Sequence, residues 1–164
     1  MFNDPEWATK EEWDAYAWYA FAMQEVQSIE FMLLIMVVAL DAQNNRSHTD
    51  KKHWNSLYDK FGRWDLRRLF KRVKEHIKLP NDFEKNFEKV VDVRNELSHG
   101  FFWPKNPEPK DKTAIDAKKE LMVAASLFSN FSPIVESVMV SLINNFSINR
   151  NDAEAKAKEL IRKS

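Results

Sequence analysis

Cysteine is missing from the chain altogether. That removes disulfide frameworks, thiolate metal sites and cysteine nucleophiles, so any catalysis must use histidine, carboxylates, hydroxyls or lysine. Glycine is almost as scarce, with two residues in 164, too few for the many tight turns of an all-β protein. Neither sign of charge is in excess: 25 basic side chains balance 25 acidic ones. This balance excludes a protein that coats nucleic acid by bulk charge and leaves a local basic stripe as the route to a polyanion. A long hydrophobic run is also lacking. The most apolar stretch, Phe31 to Leu40, is ten residues, whereas a membrane span needs about 20, so it reads as core rather than membrane. The first residues, Met1-Phe2-Asn3-Asp4-Pro5-Glu6, are acidic and lack the charged-then-apolar order of a secretory signal. A cytoplasmic protein with no membrane segment is expected.

What the chain does contain is core material: 44% hydrophobic residues, with 12 Phe and 6 Trp. At this length one packed domain is the natural count, and the scarcity of glycine makes it all-α. The expected architecture is an antiparallel bundle of four to five helices with a kinked last long helix. The bundle should cover residues 1–147. Residues 148–164 turn to Ala, Lys and Glu and read as a peripheral helix or tail.

Helix signals recur along the chain. The first helix has two starts, Asp4 followed by Pro5 and Thr9 with Glu12 at capping-box spacing, and runs to about Asp41. From Ile29 to Leu40 its apolar residues cover every face, the mark of a helix surrounded by protein. After Asn44-Asn45-Arg46-Ser47-His48 comes a second helix interrupted near Gly62. Beyond that glycine Leu66, Leu69, Phe70, Val73 and Ile77 share one narrow face, and Arg67, Lys71, Lys74 and Lys78 form a separate stripe. The stripe reads either as a solvated helix face or as a nucleic-acid-binding surface. Leu79-Pro80 ends this helix. Asn81-Asp82-Phe83-Glu84 starts a third, with Phe83, Phe87, Val90 and Leu97 as its apolar stripe and Gly100 as its stop. An extended loop with Pro104, Pro107 and Pro109 follows, and Thr113 and Asp116 open a last long helix interrupted by Pro133.

One segment combines reactive side chains at close spacing: Arg94-Asn95-Glu96-Leu97-Ser98-His99, then Gly100-Phe101-Phe102. The arginine offers a fixed fork of donors matched to a phosphate, and histidine gives or takes a proton near neutral pH. Together they suit metal-independent cleavage of an RNA phosphodiester, in which the 2′-hydroxyl proton is removed, the departing 5′-oxygen is protonated and a cation stabilises the charged phosphorane. His48, His53 and His76 are not at metal-ligand spacing, so no metal and no cofactor is expected. The aromatic-rich beginning, with Trp7, Trp13, Tyr16, Trp18 and Tyr19, reads as packing surface rather than a base-stacking platform.

Arg94-Asn95 and His99, at the end of a helix in a small α-bundle, resemble the Arg-Asn-x3-His signature of the HEPN superfamily. The order of helices is similar over residues 15 to 147. The resemblance implies a four- to five-helix bundle that dimerises so that two Arg-His pairs meet. It further implies an endoribonuclease or RNA-binding protein of a bacterial defence or toxin–antitoxin system, with single-stranded RNA as substrate and an antitoxin protein as partner. Arg94 and His99 would be catalytic, and Asn95 would orient phosphate or imidazole. The segment from Phe61-Gly62 through Arg94 also resembles the mannitol operon repressor family, helical regulators that act through protein contacts. On that second reading Arg94 is a structural residue paired with Glu30, which sits within the apolar part of the first helix, and His99 caps the last carbonyls of its own helix.

Overall fold

The computed structural model describes residues 9–44, 51–99, 101 and 114–145. Among them five α-helices and no strand are present: α1 (Lys10–Asn44), α2 (Lys51–Phe61), α3 (Leu66–His76), α4 (Asn81–His99) and α5 (Ala114–Asn145). The protein is an all-α helical bundle. The alternative helix start at Asp4, the proline-containing loop, the stop at Gly100, Trp7, His48 and the segment 148–164 lie outside the described residues.

The start of α1 follows from its capping box. Thr9 N–H donates to Glu12 Oε2 at 2.7 Å, and Glu12 N–H donates to Thr9 Oγ1 at 3.2 Å, so two otherwise orphaned donors are satisfied reciprocally. Between α2 and α3 the chain turns at Gly62. A Cβ placed there would stand 2.8 Å from the Tyr58 carbonyl oxygen, closer than side chains tolerate, so glycine is the residue that fits. Asp65 then caps α3, its carboxylate accepting from Arg68 N–H at 2.8 Å. The expected single interrupted helix is thus two helices. The second ends at His76 rather than at Leu79-Pro80, with Ile77 in extended conformation (φ −131°, ψ 144°). Pro80 disfavours helical backbone at the residue before it, and the chain leaves the helix ahead of that restriction. Helix α5 is continuous across Pro133, whose missing N–H removes one rung, the bond to the Ser129 carbonyl.

The chain divides into two compact units, one built from residues up to Ser28 together with Asn81–Ser132, the other from Ile29–Pro80 together with residues from Pro133 onward. In the first unit α4 contributes Phe83, Phe87, Val90, Val91 and Leu97 to the interior, and α5 contributes Leu121, Ala124, Ala125, Phe128 and Phe131. Phe131 packs against Phe83 and Phe87 with ring centroids 5.0 and 6.4 Å away. Val123 and Ile134, apolar residues of α5, are exposed, Val123 by 71%. Helix period places them away from the Leu121, Ala125 and Phe128 stripe.

The second unit surrounds the later part of α1. Ile29, Leu33, Met36, Val37 and Val38 are fully buried there with Phe61, Leu66 and Val73, as the all-round apolar pattern predicted. Its one buried acid among the described residues, Asp41, is held from two helices. Arg72 donates to Asp41 Oδ1 through Nε at 3.1 Å and Nη2 at 2.5 Å, Lys60 Nζ lies 3.8 Å from Oδ2, and His76 Nε2 lies 3.9 Å from Oδ1. Arg72 also donates to Glu75 at 2.6 Å. By length and composition α1 and α5 each contain an 18-residue stretch apolar enough to cross a membrane; half of the α1 stretch is buried within the protein and 28% of the α5 stretch. The uninterrupted run Phe31–Leu40 understated this, because alanine, methionine and aromatics extend the apolar composition well beyond it.

Candidate functional site

Arg94, Asn95 and His99 occupy the last two turns of α4, in the first unit. The helix is oriented by its buried face: Val90, Val91 and Leu97 point inward, which leaves Asn95, Glu96 and His99 exposed and Arg94 half-buried at the boundary. Asn95 and His99 are four residues apart and therefore neighbours on one stripe of the helix. Arg94 Nη1 donates to Asn95 Oδ1 at 3.4 Å, and the Arg94 Nε atom is out of reach of solvent. The guanidinium thus lies beside the Asn95 amide with its base buried, and the imidazole stands one turn further on at the helix end. Ser98 is half-buried beside it.

The helix end is itself tied down. Tyr19 of α1 donates its hydroxyl to the Leu97 carbonyl at 3.3 Å. This is one of the last four carbonyls of α4, which have no partner inside the helix. Part of the capping role assigned to His99 in the regulator reading is therefore performed by Tyr19, and the imidazole remains on the surface. Nothing in the local sequence announces Tyr19, because its partner lies 78 residues away. A second tie between α1 and α5 runs from Lys118 Nζ to Asp14 Oδ2 at 2.6 Å. The hydrogen bond from Lys118 and its charge hold the Asp14 carboxyl below its ordinary range.

On the flank of the same helix end lies an open cavity of about 320 Å³, lined by Val93, Glu96, Leu97, Phe101, Lys119, Glu120, Val123, Ala124 and Leu127. Its walls are apolar, and its charged groups are two carboxylates and one ammonium. Lys119 also lies 3.9 Å from Asp116. Among the described residues no group of three or more histidine and carboxylate side chains is arranged to hold a metal ion.

The remaining predicted residues belong to the second unit. Arg67, Lys71 and Lys74 are exposed on α3, and Lys78 is exposed beyond its end rather than on the helical stripe, since the helix stops at His76. Lys74 Nζ lies 5.8 Å from the Phe70 ring centroid, and Arg68 stacks over Trp64 at 4.1 Å. Glu30 is half-buried on α1. Glu30 and the basic residues of α3 belong to the second unit, whereas Arg94, Asn95 and His99 belong to the first. Sequence reasoning missed Arg72 as the main partner of Asp41. The available signal was its place next to Val73, at the edge of the apolar face of α3. Comparison with known protein families, with curated proteins and with solved structures finds no match to this chain.

Proposed function

We propose that the protein acts on RNA as a HEPN-type metal-independent endoribonuclease, with Arg94 and His99 as its catalytic pair. The observation that carries this reading is the arrangement at the end of α4, where a half-buried arginine beside Asn95 and an exposed histidine occupy adjacent turns of one helix. In the reaction an imidazole removes the proton of the 2′-hydroxyl. The resulting oxygen attacks phosphorus, the bond to the 5′-oxygen breaks, and a protonated imidazole supplies the leaving oxygen with its proton. The Arg94 guanidinium neutralises the phosphorane, and Asn95 orients the phosphate or the ring. The products are a 2′,3′-cyclic phosphate and a 5′-hydroxyl. One histidine cannot easily serve as base and acid in the same step, so the mechanism calls for His99 of a second copy. Support for self-association comes from the outer face of α1, where Trp13, Tyr16, Ala17, Ala20, Phe21 and Gln24 are all exposed and none is charged. The setting that fits this chemistry is a bacterial defence or toxin–antitoxin system in the cytoplasm, with an antitoxin as protein partner.

Several experiments test the proposal. His99→Ala and Arg94→Ala should each reduce cleavage of single-stranded RNA by about 10²–10⁴ or more while helical content is unchanged. A 2′-deoxy residue at the scissile position should block the reaction, and excess chelator should not. Neutralising Lys71 and Lys74 should weaken RNA binding and flatten its salt dependence if α3 tracks the backbone. Sedimentation should report about twice the 19.4 kDa chain mass. The exposed apolar residues also favour a second reading, a non-catalytic regulator working through protein contacts. A wild-type protein inert toward RNA, with a His99→Ala variant that merely unfolds, would establish that one instead.

A further inference from the structure

We infer that the cavity beside the end of α4 is a base-recognition subsite that takes guanine, a deepening that rests on the RNA reading above. Three observations lead there. The cavity and the reactive residues interleave on the same two turns: Val93, Glu96 and Leu97 line the cavity, and Arg94, Asn95 and His99 alternate with them along the helix. Glu96 is three residues before His99, so their side chains are neighbours on the helix surface, about 5–6 Å apart at Cβ. That is the scale separating a base from its own phosphate. The volume of about 320 Å³ is at the small end of ligand pockets, and its walls, Leu97, Phe101, Ala124 and Leu127, suit a flat aromatic ring that leaves its stack.

The charged groups decide which ring. Glu96 and Glu120 accept hydrogen bonds, and Lys119 donates. Guanine presents on its Watson–Crick edge two adjacent donors, N1–H and N2–H, beside one acceptor, O6. A carboxylate takes the two donors as a bidentate pair and the ammonium takes O6. Uracil and cytosine each present two acceptors and a single donor position, and adenine presents one donor and one acceptor, so each of them brings an acceptor toward a carboxylate or leaves a carboxylate oxygen unfilled. An acceptor set against a carboxylate loses affinity, because two acceptors share no proton between them.

Titration of the full-length protein with guanosine, inosine and uridine monophosphates, followed by backbone amide shifts of α4 and α5, tests the assignment without requiring turnover. Guanosine monophosphate should bind about tenfold or more tighter than the uridine nucleotide, the selectivity of one good bidentate contact. Inosine, which lacks the N2 amine, should fall between them. Glu96→Gln, a change at an exposed position, should erase the preference, and Ala124→Trp, which fills the cavity, should remove binding. If that bulky variant fails to fold, Glu96→Gln decides alone. Equal binding of the three nucleotides, or no shift at the cavity residues, would overturn the subsite. The RNA reading fails separately: selective guanosine binding by a protein that cleaves no RNA leaves the subsite standing and removes the nuclease, whereas cleavage indifferent to guanosine does the reverse.

Discussion

Replacing Arg72 with methionine probes a buried carboxylate, Asp41, held in an ion-pair cluster. The Asp41 side chain is 8% exposed, and Arg72, at 31%, supplies two short hydrogen bonds to it. Lys60, at 3.8 Å and 58% exposed, and His76, at 3.9 Å, are too distant to replace them. Methionine keeps most of the aliphatic volume of arginine while removing the donors. Asp41 then stays buried without its guanidinium partner, a situation that costs about 3–5 kcal/mol when a buried pair loses one member. The remaining cations place the expected loss near the lower end, about 3 kcal/mol. Urea unfolding followed by far-ultraviolet circular dichroism measures it as a drop in midpoint at constant slope. The companion Asp41→Asn should also destabilise, and the double variant should lose less than the sum of the two singles. The difference, the coupling energy, should be about 2 kcal/mol. A loss under about 1 kcal/mol for Arg72→Met, or strict additivity in the double variant, would refute the view that this pair joins α3 to α1, because exposed pairs give only that much.

Two pH effects follow from other groups. Lys118 holds the Asp14 carboxyl below its ordinary value of 3.8, so the interaction is present above that pH and is lost as the pH falls through the lowered folded value. Carbon-detected NMR titration should find Asp14 returned to the ordinary range in Lys118→Met. Burial pushes the Tyr58 phenol up to about 12, so the folded state keeps it neutral while the unfolded chain ionises from about 10. Stability should therefore fall as pH rises from about 10 toward 12, and Tyr58→Phe should make that decline shallower. An identical alkaline profile in the variant would show that another group controls it.

Local chemistry in the chain was enough to determine the helical class, the capping box at Thr9, the turn at Gly62 and the span of α4. Each of these depends on residues a few positions apart: reciprocal donors and acceptors, a missing Cβ, an apolar stripe repeating with the helix period. The same locality made the Arg94-Asn95-x3-His99 grouping legible, since one helix end carries all of it. Local chemistry did not determine where α3 stops or which apolar residues of α5 stay outside. Ile77 leaves the helix before Pro80 requires it, and Val123 and Ile134 look like core in the chain but face away from the buried stripe. The partners that anchor the groups of interest were decided only by tertiary packing. Arg72 meets Asp41 across 31 residues, Tyr19 meets Leu97 across 78, and Lys118 meets Asp14 across 104. Such pairs exist because folding removes polar groups from water and each must then find whichever complement the packed helices bring within hydrogen-bond distance. The cavity beside α4 has the same origin, since its walls come from α4, Phe101 and α5, and no periodicity within one segment records the space left between packed helices.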